Sequence, residues 1–385
     1  MSHRYRWHFG LIGLLVCFCV PLAMAQLSTE DHLTEPGFWP TQNHASRDGF
    51  IGPDSCAPCH AAKLATQRET PMARTAMLAA LADILHSHAA LSFNVNNFRY
   101  QIDTNAKGSL YSVSDGNRKL SYPLAWAFGT GRVAQSYLFK KEDGGFYEAR
   151  VTYFTHLANL DFTPARALLS PSGVEEAMYR PVPPAEVQRC FACHSTASII
   201  GGRFDEQQLI PGVTCEACHG PGANHAKAVD EPDAGKSSPV KSAIFNSAHL
   251  APADAVDFCG ACHGSWWDVK LAGVKGVSTT RSAPYRLVTS KCWGQKGDPR
   301  LTCTACHDPH KQLQTEASAY DQKCLSCHVN STGAKISVSR PGAPCPKAVK
   351  NCTTCHMPKI NVPEMHADFT DHRIRIARPG DAFPE

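Results

Sequence analysis

Cys215-Glu216-Ala217-Cys218-His219-Gly220-Pro221-Gly222-Ala223-Asn224-His225 contains the pattern on which the chain is built. Two thiols stand three positions apart, an imidazole follows at once, and the glycines after it let the backbone turn tightly before a second imidazole. The Cys-x-x-Cys-His unit recurs at Cys56, Cys59 and His60, at Cys190, Cys193 and His194, and at Cys259, Cys262 and His263. Further copies are Cys303, Cys306 and His307, then Cys324, Cys327 and His328, then Cys352, Cys355 and His356. Random placement at this composition would give roughly 0.04 copies, so seven are no accident.

Thiols at this spacing can form thioethers to the two vinyl groups of one haem, and the adjoining histidine is then held beneath the iron. Structural zinc would not need a histidine after every pair. A thioredoxin-like site needs one motif, not seven. A disulfide framework would not keep the spacing constant. The expectation is seven covalently bound haem c groups. With two thiols left outside any motif, Cys292 and Cys345, a disulfide and two separate buried thiols are the competing readings.

Composition agrees with an exported cofactor protein. Of 385 residues, 43% are hydrophobic and 19% charged, which excludes a disordered polyelectrolyte. A net charge of +4 without a Lys/Arg cluster excludes a nucleic-acid partner. Residues 1–25 read as a signal peptide: Arg4 and Arg6, an apolar stretch from Leu11 to Val20, then Ala23-Met24-Ala25 before Gln26. An uncleaved membrane anchor is the alternative reading. Cys17 and Cys19 leave with this segment. No later run is long and apolar enough to span a bilayer. The expected location is periplasmic or secreted. Loss of two arginines and gain of seven haems at roughly −1 each would leave the holoprotein near −5.

Along the chain, residues 26–90 form an irregular opening followed by the first motif and a helical stretch from Ala61 to about Leu85. Residues 91–165 are β-rich, with runs Ser92–Ile102, Ser109–Val113, Ser136–Lys140 and Phe146–Phe154, and read as a small β-meander between the first and second haems. Residues 166–385 form a compact six-haem array with a C-terminal ligand segment and one flexible polar stretch, Asp230–Ser238. About 50 residues per haem is thin cover, so the cofactors should form much of the core. The expected fold is therefore mostly irregular and α, with low regular secondary structure. Without cofactor the chain should unfold.

Second axial ligands come from the remaining histidines and methionines. The strongest sites adjoin a motif: His225, His310 after His307-Asp308-Pro309, and His372 and His366 in the terminal segment. Met72 is a further choice, and His32, His44, His86, His88, His156 and His249 complete the supply of histidines. A second histidine holds iron six-coordinate, and methionine raises the potential.

The opening Gly52-x-x-x-Cys56-x-x-Cys59-His60 with Met72 twelve residues on, together with Cys215 to His225, Cys306-His307-Asp308-Pro309-His310 and Cys355-His356-Met357-Pro358-Lys359 with Phe369-Thr370-Asp371-His372, resembles the cytochrome c-552/c-554 family. The strand region with Gly129-x-Gly131-Arg132 is similar to an insert in some members. Members usually carry histidine where Met72 stands, so the resemblance implies a His/Met first haem or another ligand for it.

The leading reading is electron transfer along the haem array between redox partner proteins, with association with a membrane or outer-surface complex compatible with it. The alternative is a multihaem oxidoreductase acting on a nitrogen or sulfur oxyanion at one open-coordinate haem. Nitrite reductases resembling this group often replace the motif histidine with lysine, and all seven here end in histidine. The first haem near Arg68 and Arg74, or the fourth beside Trp266 and Trp267, would be the place for such a site.

Overall fold

A computed structural model describes residues 46–164, 170–230, 243–294, 297–328 and 345–385. The signal segment, His32, His44 and residues 231–238 of the polar stretch lie outside the described residues.

The dominant element is a curled antiparallel sheet, larger than a small meander. Its strands are β1 (Ala76–Leu78), β2 (Ala90–Val95), β3 (Phe98–Asn105), β4 (Gly108–Ser114), β5 (Lys119–Phe128), β6 (Ala134–Lys140), β7 (Phe146–Ala149), β8 (Val151–Phe154), β9 (Asn159–Phe162) and β10 (Tyr179–Pro181). The order is β10-β7-β6-β5-β4-β3-β2, with β1 on β5 and β8 bonded to β6 and β9. The sheet closes on itself where Phe93 of β2 meets Phe162 of β9 edge-on at 5.3 Å. This corrects the expectation of a mostly irregular and α fold, because the β region extends beyond both ends of the predicted runs.

Local chemistry explains the departures. The run Ser92–Ile102 is a hairpin rather than one strand. Asn96 adopts φ 52°, a left-handed turn conformation that asparagine tolerates. The run Phe146–Phe154 breaks at Arg150, whose N–H donates to Met178 O and whose carbonyl accepts from Thr163 N–H. The helix predicted to reach Leu85 spans Ala57–Arg68. Thr70-Pro71 ends it, since proline disfavours helical backbone in the preceding residue.

Side-chain alternation divides the sheet into two faces. Tyr100, Ile102, Tyr111, Val113, Tyr137 and Phe139 fill the inner face and are wholly buried. Trp126, Leu138 and Phe146 point outward and pack on Val187 and Phe191 of the helix Pro184–His194. Phe191 meets Trp126 at 5.0 Å, Phe128 at 5.1 Å and Phe204 at 4.6 Å. The second motif is thereby fixed on the outer wall of the sheet.

Beyond Thr196 most regular elements are short, and four of the motifs occupy about one helical turn each: Cys215–His219, the end of Pro252–His263, Cys303–Cys306 and Cys352–His356. Among the described residues of this half, Val256, Leu287 and Trp293 form a small buried apolar cluster. Here the expectation of short helices and loops matches the architecture.

Candidate haem centres

The seven motifs are neighbours in space although they are spread along the chain. The Cys56 thiol lies beside that of Cys215, bringing the first motif to the third. Cys193 lies beside Cys262, bringing the second to the fourth, and Cys259 beside Cys303, bringing the fourth to the fifth. Cys324 lies beside Cys352, bringing the sixth to the seventh. Cys218 is in the neighbourhood of Cys259 and Cys262, and Cys306 in that of Cys324. Burial first, then the charge of Cys215, pushes the Cys56 thiol up to about 12.

Three motif histidines face a second imidazole. Ring centroids lie 6.5 Å apart for His60 and His225, 6.1 Å for His219 and His310, and 6.3 Å for His307 and His372. A metal–nitrogen bond of about 2 Å on each side, plus about 1.1 Å from nitrogen to ring centre, requires about 6.2 Å. The spacing therefore suits one iron between each pair of rings.

Hydrogen bonds also select the ligating nitrogen. His219 Nδ1 donates to Phe245 O at 2.9 Å, His356 Nδ1 to Arg375 O at 2.9 Å and His372 Nδ1 to Thr370 O at 3.0 Å. A carbonyl only accepts, so the proton sits on Nδ1 and the Nε2 lone pair is left for a metal. His194 Nδ1 pairs with Thr75 Oγ1 at 2.7 Å, and His310 Nδ1 with Asp308 Oδ1 at 3.1 Å. Burial lowers the pKa of His194, His263, His307 and His372, favouring the neutral ring that binds metal. Paired thiols, oriented imidazoles and a half-molecule short of peptide core together fit covalently held haem. Among the described residues no group of three or more His, Cys, Asp or Glu side chains could hold a bare metal ion.

The other candidate ligands lie in or beside short turns and helices. His366 Nε2 bonds to Asp161 Oδ2 of β9 at 2.9 Å, and its ring packs edge-on against Phe154 at 4.7 Å. Met72 lies in the turn Met72–Arg74, its carbonyl accepting from Val213 N–H at 2.9 Å. His86 Nε2 bonds to Ala80 O and His88 Nδ1 to Ile84 O. His156 follows β8 in an exposed turn, and His249 ends the short turn Ser247–His249. Cys292 and Cys345 are free thiols, so the disulfide between them is not formed. Arg68 is ion-paired with Asp54 and Arg74 with Asp83. Trp266 and Trp267 stack edge-on at 5.0 Å.

Behind His372, Arg286 Nε and Nη2 donate to the two oxygens of Asp371 at 2.8 and 2.9 Å, with both side chains fully buried. Burial pushes the Asp371 carboxyl up, but the bond to Arg286, the Arg373 N–H and the nearby cations outweigh it and hold it below the usual range. Sequence reasoning missed this pair and also missed Glu216 and Asp321, two buried carboxylates at motif boundaries. A charged residue inside a motif was the available signal for Glu216.

The family described as cytochrome c554 and c-prime matches residues 167–220, which include the second and third motifs. The multiheme cytochrome MtrA of Shewanella baltica is 25% identical over 230 residues, 49% of this chain. The chain spans 63% of the length of that curated relative. The crystal structure of the outer cell wall cytochrome OcwA aligns with a TM-score of 0.47 at 14% identity, over 85% of this chain and 80% of that one.

Proposed function

We propose that this chain, a multihaem c-type cytochrome, holds seven haems on its seven motifs and relays single electrons along them between redox partner proteins. Bound haem iron supplies a one-electron couple whose potential is set by its axial ligands and surroundings. The fourteen motif cysteines fix the cofactors, and His60, His194, His219, His263, His307, His328 and His356 are the proximal ligands. His225, His310 and His372 supply the second ligand to the first, third and fifth centres. The observation that carries this reading is the set of three imidazole pairs at 6.1 to 6.5 Å.

The thiol contacts support an order of motifs running first, third, fourth, fifth, sixth, seventh, with the second branching at the fourth. Phe191, inside the second motif, packs against Trp126, Phe128 and Phe204 and covers that motif from the sheet side. Arg68 and Arg74, the cations expected near the first centre, pair with Asp54 and Asp83 at the exposed surface. We place the protein in the periplasm or outside the cell, consistent with the export-type start of the sequence. Among the described residues no helix is long and apolar enough to cross a membrane.

Electron paramagnetic resonance of the oxidised protein tests the function. Low-spin signals that do not change with nitrite, hydroxylamine or cyanide are expected. A high-spin centre that binds them would replace relay with the oxidoreductase reading.

A further inference from the structure

We propose that Glu216 is a positioning residue that locks the first and third motifs together and biases their haems toward the oxidised state; this rests on the haem-array reading above. Glu216 occupies a spacer position between Cys215 and Cys218, where attachment itself asks nothing of the side chain. It is 1% exposed. A carboxylate so buried is costly unless its oxygens are satisfied.

Three backbone amides satisfy them. Ile51 N–H donates to Oε1 at 2.9 Å, Gly52 N–H to Oε2 at 2.8 Å and Gly222 N–H to Oε1 at 2.8 Å. Each donor belongs to the neighbouring centre. Ile51 and Gly52 lead into the turn Pro53–Cys56 that opens the first motif. Gly222 precedes the helix Ala223–Asp230, which carries His225 opposite His60. One side chain of the third motif thus holds both the approach to the first motif and the segment bearing its second ligand. The fit is close: a Cβ on Gly222 would lie 3.2 Å from Glu216 Oε1 and 3.3 Å from Ile51 Cδ1.

The three hydrogen-bond donors are uncharged amides, so they solvate the negative charge without cancelling it. Glu216 adjoins Cys215 in the chain, and the Gly52 that it holds accepts at its carbonyl from the Cys56 thiol at 3.9 Å, so the charge lies beside both attachment sites. Ferric iron carries one more positive charge than ferrous, so a fixed anion nearby opposes addition of the electron. Asp321 repeats the arrangement at the other end of the motif order. It is 6% exposed and lies in the helix that carries Cys324. Its oxygens accept from Asn351 N–H at 2.8 Å and Cys352 N–H at 2.9 Å, at the start of the seventh motif.

The test is potentiometric titration of full-length holoprotein as wild type, E216Q and E216D, with haem content by mass spectrometry and paramagnetic resonance of each. With E216Q, two of the seven centres should become easier to reduce. Their reduced-to-oxidised ratio at the wild-type midpoint should rise about tenfold, with low-spin signals preserved. E216D keeps the charge and should stay within about twofold. Seven haems with no midpoint moved in E216Q, or a shift shared by all seven centres, would overturn the proposal. If E216Q fails to take up haem, hydrogen exchange of the wild-type holoprotein decides. Slow exchange at Ile51, Gly52 and Gly222 supports the lock, and free-peptide rates there refute it. A wild-type protein without haem would defeat the array reading instead, so the two failures are distinct.

Discussion

Replacing Arg286 with methionine removes one half of a buried ion pair, and its cost can be worked from the structure. Arg286 donates twice to Asp371 and, through Nη1, to Pro384 O at 2.8 Å, while its guanidinium lies 4.5 Å from the Phe383 ring centre. The methionine leaves Asp371 buried, with Arg375 as its remaining cation. Deleting one partner of such a pair costs about 3–5 kcal/mol, and the contact with Arg375 places this case near 3 kcal/mol. Asp371→Leu strands the guanidinium and should cost a similar amount. Combining both substitutions removes both charges, so the double variant should recover to within about 1 kcal/mol of wild type. Urea unfolding of the holoprotein, followed at the haem absorption band and by tryptophan fluorescence, measures all three. A single-variant loss below about 1 kcal/mol, or losses that simply add in the double variant, would refute the reasoning. Because His372 follows Asp371 directly, the single variants should also broaden the signal of the centre proposed for His307 and His372.

His225→Leu should convert one iron in seven to a high-spin form that binds one equivalent of cyanide, read by paramagnetic resonance; an unchanged spectrum would mean that His225 is no ligand. His366→Ala should cost about 1 kcal/mol in urea unfolding through loss of the Asp161 contact and leave every low-spin signal in place. Phe191→Ala should cost about 3–5 kcal/mol, since the ring is fully buried among aromatic neighbours, and a loss under 1 kcal/mol would show that the sheet does not hold the second motif. Gly212→Ala should be destabilising by more than about 2 kcal/mol, because the residue has φ 77° and a Cβ would fall 1.9 Å from Ala73 O. Thermal unfolding within a few degrees of wild type would contradict that.

The attachment chemistry was legible because it is local: five residues fix thiol spacing and the first imidazole, whatever the tertiary fold. The facing of His225, His310 and His372 toward motif histidines followed the same logic, since each lies close in sequence to a haem motif. His366 shares that setting, yet it is taken by Asp161, more than two hundred residues away, which no spacing rule reveals. The sheet was partly legible. Alternation from Phe146 to Phe154 marked strands; β5 also alternates, with Leu120, Tyr122, Leu124, Trp126 and Phe128 at every second position, but Pro123 at its middle argues against a central strand and hid it. It follows β4 through the short turn Asp115-Gly116-Asn117-Arg118, with Ser114 opposite Lys119. The carboxylates Glu216 and Asp321 were hidden because their partners are backbone amides, which look alike in every sequence.

The unequal division of peptide core bears on how the molecule matures. The sheet has its own dense interior of tyrosine, phenylalanine and aliphatic side chains, whereas the six-motif half buries few apolar residues of its own. Contrary to the sequence expectation of general unfolding, a chain starved of cofactor should keep a protease-resistant β fragment and surrender the remainder to digestion. The second motif would then be displayed on a finished wall while its five successors still wait for their porphyrins.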